Sequence, residues 1–300
     1  MNPVIALATS RLGPVLGLMI GRLLPRAPSE WLADRMAAWA AAQPTHGVVR
    51  AVRANQAVAR ELPYRDPSLS EAVVQVFRNA AHGYLTFFRS LARGRTSLGA
   101  SCEVDPVLIE NCRQVMAAGR GVFLAGPHMG NFDLALVALQ QHELNPLVLS
   151  YRNPHGSYVI DNAIRQRYGV ELTPISMRSL RDAVGRLAGG GCVLTLVDRP
   201  DSRGRTLDFF GRPANMPFGH ARLALRSGSV LQIGAALQIE EGRYRIEAGG
   251  LIDPLEIQGT TRSERELTLA QQVAWEMETF IRRRPGEWLM FLPVWPQALP

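Results

Sequence analysis

The sequence predicts an α/β fold with a mainly parallel sheet and helices on both faces. Short apolar runs typical of buried strands alternate with longer segments whose apolar residues recur every three or four positions, as on one face of a helix. Strand, helix and strand in this order form βαβ units, whose strands run parallel. We expect a helical, membrane-proximal layer over residues 1–100 and an α/β core over 101–300 with an antiparallel edge, together forming one continuous domain.

The chain is basic and contains no lysine. Of its 300 residues, 47% are apolar and 20% are charged. A chain of this length and apolar content can form a sizeable hydrophobic core. Its 33 fixed cationic side chains are all arginines and face 26 acidic residues, for a net charge of +7. Missing lysine is typical of a GC-rich genome, but the charge favours anionic lipid or phosphorylated cofactors, since guanidinium groups bind phosphate bidentately. Nucleic-acid binding is disfavoured because the sequence has no basic stripe interleaved with aromatic residues.

The cysteines indicate neither a metal site nor a disulfide framework. Cys102, Cys112 and Cys192 lack metal-ligand or Cys-x-x-Cys spacing, and their number is odd. We therefore expect small buried residues in a reducing, cytoplasmic compartment.

The amino-terminal segment, residues 1–25, is apolar but interrupted. Arg11, Pro14 and Arg22 break it, so that no run reaches the roughly 20 residues that span a bilayer. The arginines are spread through the apolar part and no small-residue cleavage site follows, unlike in a signal peptide. We interpret the segment as an anchor lying in the membrane interface, and a plain core helix is the alternative.

Three helices are expected next. The first, over 30–42, carries tryptophans that suit either a membrane interface or ordinary packing. The second lies within 45–63. The third begins near Asp66, which together with Pro67 is a helix start signal, and its apolar residues recur with helical spacing as far as Leu91.

Residues 121–133 predict a strand, a loop and a helix. The apolar run from Val122 to Ala125 is typical of a buried strand, and Gly126-Pro127 ends it. Asn131 can cap the helix that follows.

This loop and helix present two groups that acid–base chemistry uses. His128 falls in the loop and Asp133 in the first helical turn, where a carboxylate suits the helix dipole and can turn back toward the imidazole. A carboxylate on one ring nitrogen leaves the other free as a general base for a hydroxyl. Gly130 lets a substrate or the backbone come close.

Further charged side chains follow the next predicted elements. A strand within 145–153 is followed by Arg152, and a helix over 161–168 holds Arg165; both either reach a phosphate or remain solvated charges. A helix over 179–188 then leads to a buried strand over 192–197, which Asp198 and Arg199 follow. Because open α/β sheets place their sites at the carboxyl ends of strands, Asp198 is either a site residue or a strand-end cap.

The remaining part of the chain contains an apolar loop, a helix that opens at Ala221–Arg226, two strands and a long helix. The Gly- and Pro-rich loop over 207–219, which holds Phe210, is expected to contact an acyl chain or to pack on its own core. His220 follows it, and we expect a packing role there rather than a chemical one. Strands over 230–239 and 244–248 form the antiparallel edge, and a long helix covers 261–284.

The six residues from His128 to Asp133 resemble the His-x4-Asp/Glu motif of the glycerolipid acyltransferase superfamily. Their form is that of the bacterial late acyltransferases of lipid A biosynthesis and of the phosphatidylinositol mannoside acyltransferases. Segments at 165–172, 207–219 and 282–295 also resemble this family, in order along nearly the whole chain. Asp198-Arg199 is closest to the family's Glu-Arg form, although Pro200 stands where the family carries a further acid.

The resemblance implies acyl transfer from acyl-CoA or acyl carrier protein to a hydroxyl of a membrane glycolipid, of the phosphatidylinositol mannoside or lipid A precursor type. It implies His128 as general base and Asp133 as the group that orients it. Backbone N–H groups in the loop around Gly130 and at the start of the motif helix are the expected oxyanion donors, and neither metal nor redox cofactor is implied. An anionic membrane surface, at the cytoplasmic face of the bacterial inner membrane, is the implied location, reached peripherally or through the amino terminus. The candidates for substrate binding are Gly130, Asn131, Arg152, Arg165, Asp198, Arg199 and Phe210.

Other functions have less support. A serine or cysteine hydrolase would need a Gly-x-Ser-x-Gly sequence or a cysteine near His128, and the chain has neither. A non-catalytic membrane-binding protein would keep the basic apolar amino terminus without needing His128. A lysophospholipid acyltransferase would use the same chemistry with a broader range of acceptors.

Overall fold

A seven-stranded sheet forms the centre of the computed structural model, which describes residues 3–299, without side-chain detail at 95, 96 and 99. The strand order is β1-β9-β8-β2-β5-β3-β4, and β6 and β7 form a separate two-stranded hairpin. The strands are β1 (Cys102–Val104), β2 (Val122–Gly126), β3 (Leu147–Ser150), β4 (Leu172–Pro174), β5 (Cys192–Leu196), β6 (Arg205–Phe209), β7 (Arg212–Met216), β8 (Val230–Glu240) and β9 (Arg243–Ile252).

Helices cover the sheet and form a layer before it in the chain. They are α1 (Pro3–Thr9), α2 (Leu12–Leu23), α3 (Arg26–Ala41), α4 (Gly47–Ala59), α5 (Leu69–Arg93), α6 (Arg95–Ala100), α7 (Pro106–Ala117), α8 (Phe132–Gln141), α9 (Ser157–Arg167), α10 (Met177–Ala188), α11 (Gly219–Ser227) and α12 (Arg262–Arg283). Two 3-10 turns, Pro285–Glu287 and Pro296–Ala298, follow α12.

The strand pairing confirms the predicted fold class. β2 lies at the centre, parallel to both β5 and β8, and β3 and β4 continue the parallel part. β8 and β9 pair antiparallel, as expected at the edge, and the three-residue strand β1 adds parallel to β9 outside them. Neither β1 nor β4 was predicted, because three residues are too few to establish a period.

Alternate residues of the central strands serve two cores. Phe123 and Ala125 of β2 pack with α10, α11 and α12, whereas Val122 and Leu124 belong to a second core with α7 and α8. Because both faces are covered, all five residues of β2 are buried. The site therefore has rigid support on either side.

The helical layer presents apolar side chains outward. In α3 the buried face consists of small residues, chiefly alanines, so Trp31 and Trp39 remain exposed. Among residues 3–299, no single helix combines the length and the apolarity needed to cross a bilayer. In the described part of the chain, α1 and α2 taken together are the one pair that meets that criterion, and they bend by 90° at their junction.

The predicted loop over 207–219 is largely a hairpin, β6 and β7. Its turn consists of Phe210 and Gly211, with φ of 57° and 67°, the positive values that a two-residue hairpin turn uses. A phenylalanine rarely adopts such a φ. Phe210-Gly211 is therefore not one of the residue pairs that ordinarily indicate a hairpin turn.

Candidate active site

His128 and Asp198 meet at the carboxyl ends of two neighbouring strands. Gly126 and Leu196 are paired in register as the last residues of β2 and β5, and each site residue lies two positions further on. Nδ1 of His128 lies 2.5 Å from Oδ1 of Asp198, and the backbone N–H of His128 donates to Oδ2 at 2.8 Å. The register of the sheet thus places the imidazole on the carboxylate.

A third hydrogen bond fixes the carboxylate of Asp198. The indole Nε1 of Trp288 donates to its Oδ2 at 2.8 Å, and the carboxylate is fully buried. Burial by itself raises the pKa of the Asp198 carboxyl. The charge of His128 and the hydrogen bonds from His128 and Trp288 outweigh burial, so the pKa lies below its ordinary value. Asp198 is therefore ionised at neutral pH and holds a proton on Nδ1, which leaves Nε2 of His128 as the free basic nitrogen.

The expected pairing of His128 with Asp133 is wrong. Asp133 accepts from Nε of Arg165 at 2.6 Å, and both side chains are buried. The ring of Phe132 contacts both the imidazole, edge to face at 5.5 Å, and the guanidinium of Arg165, at 5.8 Å. Burial disfavours the charge on Arg165, but the charge and hydrogen bond of Asp133 raise its pKa above the ordinary value. Asp133 serves Arg165 because an unpaired guanidinium cannot remain buried.

Gly130 meets protein backbone, one of the two outcomes expected of it. Its φ is 51°, and an added Cβ would lie 2.2 Å from the carbonyl oxygen of Ala236. Its N–H donates to the carbonyl of Glu287 at 3.0 Å. That N–H is therefore not available to an oxyanion, which leaves the start of the motif helix as the other expected source of donors. Nearby, the N–H of Leu289 donates to the carbonyl of His128 at 2.7 Å, so the carboxyl-terminal segment braces the histidine loop.

Asn131 caps α8, as the sequence predicts. Its Oδ1 accepts from the N–H of Leu134 at 3.2 Å, and its Nδ2 donates to the carbonyl of Gly83 in α5 at 2.8 Å. The side chain is buried. It joins the motif helix to the helical layer and positions the loop.

A cavity of about 920 Å³ opens beside His128. Three of the predicted binding residues, Arg152, Arg165 and Arg199, line it with the histidine, whose side chain is 20% exposed. Its inner walls are mostly apolar and come from both cores. The other predicted site residues lie outside its lining, and they are Gly130, Asn131, Asp133, Asp198 and Phe210.

Arg199 lies at the rim of the cavity among aromatic rings. Its guanidinium carbon is 4.3 Å from the ring centre of Tyr151 and 5.9 Å from that of Tyr158. Nη1 also donates to the Tyr158 hydroxyl at 3.4 Å. None of these contacts uses a carboxylate, so they leave the guanidinium without a counter-ion beside the cavity.

Phe210 packs behind the site. Its ring stacks on Trp288, meets Trp295 edge to face and lies under the guanidinium of Arg282 at 4.6 Å. Phe210 thus packs on the protein's own core, one of the two outcomes expected of this loop, and it lies outside the cavity lining. Because Trp288 holds Asp198, this aromatic cluster supports the dyad indirectly.

Sequence reasoning missed the roles of Trp288, Glu287 and Leu289. The signal in the sequence was the resemblance of the closing segment, residues 282–295, to the family, and a resemblance indicates no contact. Within residues 3–299, no group of three or more His, Cys, Asp or Glu side chains is placed to hold a metal ion.

Comparison with known proteins points to one family. The family described as "Bacterial lipid A biosynthesis acyltransferase" matches residues 6–297. The phosphatidylinositol mannoside acyltransferase of Mycobacterium tuberculosis H37Rv is 28% identical over 200 residues, 64% of this chain and 61% of the relative. That of Mycolicibacterium smegmatis is 27% identical over 213 residues, 69% of this chain and 67% of the relative. The match to the M. tuberculosis relative thus spans about three fifths of its length.

Proposed function

Since the chain belongs to the bacterial lipid A biosynthesis acyltransferase family, we propose that it transfers a fatty acyl group from a thioester donor to a hydroxyl of a membrane glycolipid. The observation that carries the proposal is the imidazole of His128, held by the buried Asp198 at the edge of a large, partly apolar cavity. Such a cavity accommodates hydrocarbon, and such a histidine activates a hydroxyl.

In the proposed reaction, Nε2 of His128 takes the proton of the acceptor hydroxyl as its oxygen attacks the thioester carbonyl. Asp198 stabilises the imidazolium that forms. The tetrahedral intermediate then collapses, the carbon–sulfur bond breaks, and the imidazolium returns its proton to the leaving thiolate. General-base help of this kind contributes about 10²–10⁴ in rate.

The first turn of α8 supplies the proposed oxyanion donors. The N–H groups of Phe132 and Asp133 have no hydrogen-bond partner in the described chain, and they follow the histidine loop at the positive end of the helix dipole. They replace the N–H of Gly130, which the carbonyl of Glu287 occupies.

Arginines at the cavity fit a phosphorylated donor. Arg152, Arg199 and Arg203 line it, and guanidinium groups bind phosphate with good geometry. Acyl-CoA and acyl carrier protein both carry a phosphopantetheine arm, so either satisfies this chemistry. The acceptor is of the phosphatidylinositol mannoside or lipid A precursor type.

The helical layer is the proposed contact with the membrane. Apolar side chains of α2 and both tryptophans of α3 are exposed. Arg22 and Arg35 lie on these helices, and Arg11 directly precedes α2. Such a surface inserts its apolar residues at the headgroup level while its arginines meet anionic lipid. The chain would then work at the cytoplasmic face of the bacterial inner membrane, where both proposed donors are found.

The test is acyl transfer from radiolabelled palmitoyl-CoA, and in parallel palmitoyl carrier protein, to total bacterial membrane lipids. We expect one labelled glycolipid with the wild type and none with His128→Ala, while the exposed His155→Ala serves as a matched histidine control. Label on many lysophospholipids would favour the broader lysophospholipid acyltransferase. Unchanged labelling by a folded His128→Ala protein, or vesicle binding without transfer by the wild type, would contradict the proposal.

A further inference from the structure

His220 is the one buried histidine of the six, all of which lie in the described part of the chain. It is 3% exposed and lies in the first turn of α11. Both ring nitrogens are buried, and neither has a hydrogen-bond partner among the described residues. Burying a polar group without a partner is unfavourable, so a residue needed only for packing would be better apolar here.

This histidine lines the same cavity as His128. Its neighbours Phe218 and Gly219 line it too, as does Leu223 one turn along α11. Leu223 belongs to the core that also holds Phe123 and Ala125 of β2. Arg222 of α11 lines it as well, but its guanidinium lies over the ring of Phe218 at 4.6 Å and pairs with Glu266. His220 is thus the one buried polar side chain that α11 places on the wall of the space that, in the proposed function, receives the substrates.

Burial lowers the pKa of His220 to about 4, so the ring is neutral at physiological pH. A neutral imidazole offers one N–H donor and one acceptor nitrogen. A hydroxyl also donates and accepts, whereas a phosphate or carboxylate would leave the acceptor nitrogen unmatched.

We propose that His220 binds a hydroxyl carried by a hydrocarbon chain inside the cavity, distinct from the hydroxyl that reacts at His128. The inference rests on the proposed acyl transfer for the identity of the substrates, and it adds selection for a hydroxylated chain. That chain belongs either to the acyl donor or to the acceptor lipid, and the experiment has an arm for each.

The donor arm compares hexadecanoyl-CoA with hexadecanoyl-CoA hydroxylated at successive carbons. The readout is the kcat/KM for the hydroxylated chain divided by the kcat/KM for the plain chain. Because a loss of folded protein lowers both kcat/KM values equally, it does not change their ratio. We expect the wild type to favour one hydroxyl position by roughly tenfold, the worth of one good hydrogen bond. His220→Phe should bring the ratio to about one, and His220→Gln, which keeps a donor and an acceptor, should retain part of it. His142→Phe, outside the cavity, is the matched control.

The acceptor arm uses plain hexadecanoyl-CoA with acceptor lipids that have or lack an additional hydroxyl on a chain. A preference lost in His220→Phe in either arm supports the proposal and identifies which substrate carries the hydroxyl. Ratios that are the same in the wild type and in folded His220→Phe, in both arms, would overturn it and make His220 a packing residue.

Failure of the proposed acyl transfer can be distinguished from failure of the His220 proposal. If the wild type labels no lipid, the proposed function fails, and calorimetric binding of hydroxyhexadecanoic and hexadecanoic acids to the wild type and His220→Phe decides the role of His220 instead. Stronger binding of the hydroxylated acid by the wild type alone supports the hydroxyl site, and equal binding overturns it.

Discussion

Asp198 and Asp133 are both buried carboxylates at the base of the site, and their partners separate their roles. Asp198 accepts from the imidazole of His128, whereas Asp133 accepts from the guanidinium of Arg165. One carboxylate therefore acts on the group proposed to react, and the other neutralises a structural cation.

Asparagine at each position distinguishes the two roles. Asp198→Asn should lower kcat by about 10²–10⁴ with a folded protein, since an amide neither fixes the tautomer nor stabilises the imidazolium. Asp133→Asn should instead cost roughly 3–5 kcal/mol of unfolding free energy, because it leaves the charge of Arg165 buried and unpaired. Steady-state kinetics and urea unfolding of both variants check this. A stable Asp133→Asn protein with the larger loss of kcat would return Asp133 to the catalytic role.

Asp161 makes stability depend on pH. Its carboxyl is buried, Oδ1 has no described partner, and burial together with the charge of Asp133 raises the pKa to about 7 from an ordinary 3.8. Between these values the folded state binds more protons than the unfolded state, so the free energy of unfolding falls as pH rises. The contribution of the Asp161 carboxyl to the free energy of unfolding is fully present below about pH 4 and is lost as the pH rises through 7. The whole change amounts to at most about 4 kcal/mol.

Asp161→Asn should remove this dependence, and at pH 8 the variant should be the more stable protein. Thermal unfolding of both proteins from pH 4.5 to 8 measures the difference. A stability difference that stays constant over this range would mean that Asp161 is ionised throughout.

Much of the site could be predicted, because strand ends are readable from the sequence. The apolar runs before His128 and Asp198 place both at the carboxyl edge of a parallel sheet. Which carboxylate meets the imidazole depends on strand order and register, and a five-residue spacing suggested a local partner instead. Trp288 was out of reach for the same reason, since its contact with Asp198 joins parts of the chain 90 residues apart.

The helices α2 and α3 carry the outward apolar side chains, and a pair of tryptophans tests their role. Trp31 on α3 is 64% exposed, and Trp275 on α12 is 53% exposed. Trp31→Glu should weaken binding to anionic vesicles by roughly tenfold or more, because burial of a large side chain in the interface is lost. Trp275→Glu is the control with the same change of chemistry. Co-sedimentation with vesicles measures both, and equal effects would place the membrane contact elsewhere.

The hairpin of β6 and β7 shows where pattern reasoning stopped. Leu207 and Phe209 point inward while Thr206 and Asp208 are exposed, an alternation that a strand requires. Gly211 and the prolines nearby suggested a loop, and Phe210 concealed the turn because bulky residues seldom adopt positive φ. Packing of its ring against Trp288 and Trp295 stabilises that backbone.

The helical layer and the carboxyl-terminal segment of the α/β core are joined by hydrogen bonds of one buried side chain. Nδ2 of Asn55 in α4 donates to the carbonyls of Met290 and Leu292, and its Oδ1 accepts from the N–H of Val294.

We propose that the helical layer and the α/β core fold as one cooperative unit. Asn55→Ala should cost roughly 2–5 kcal/mol, since it leaves several buried backbone groups unpaired. A single unfolding transition with the same midpoint by circular dichroism and by tryptophan fluorescence checks cooperativity, with the exposed Asn215→Ala as control. Two separate midpoints would divide the chain into independent units.

The bracing of the histidine loop by the segment around Trp288 has a consequence for synthesis. The ribosome releases His128 and Asp198 well before it makes Trp288 and Leu289, whose contacts hold the carboxylate and the loop. An unfinished chain therefore has the two reacting groups without the residues that hold them in place. We expect the chemistry to become available only when the late segment docks, so that incomplete chains leave the surrounding lipids untouched.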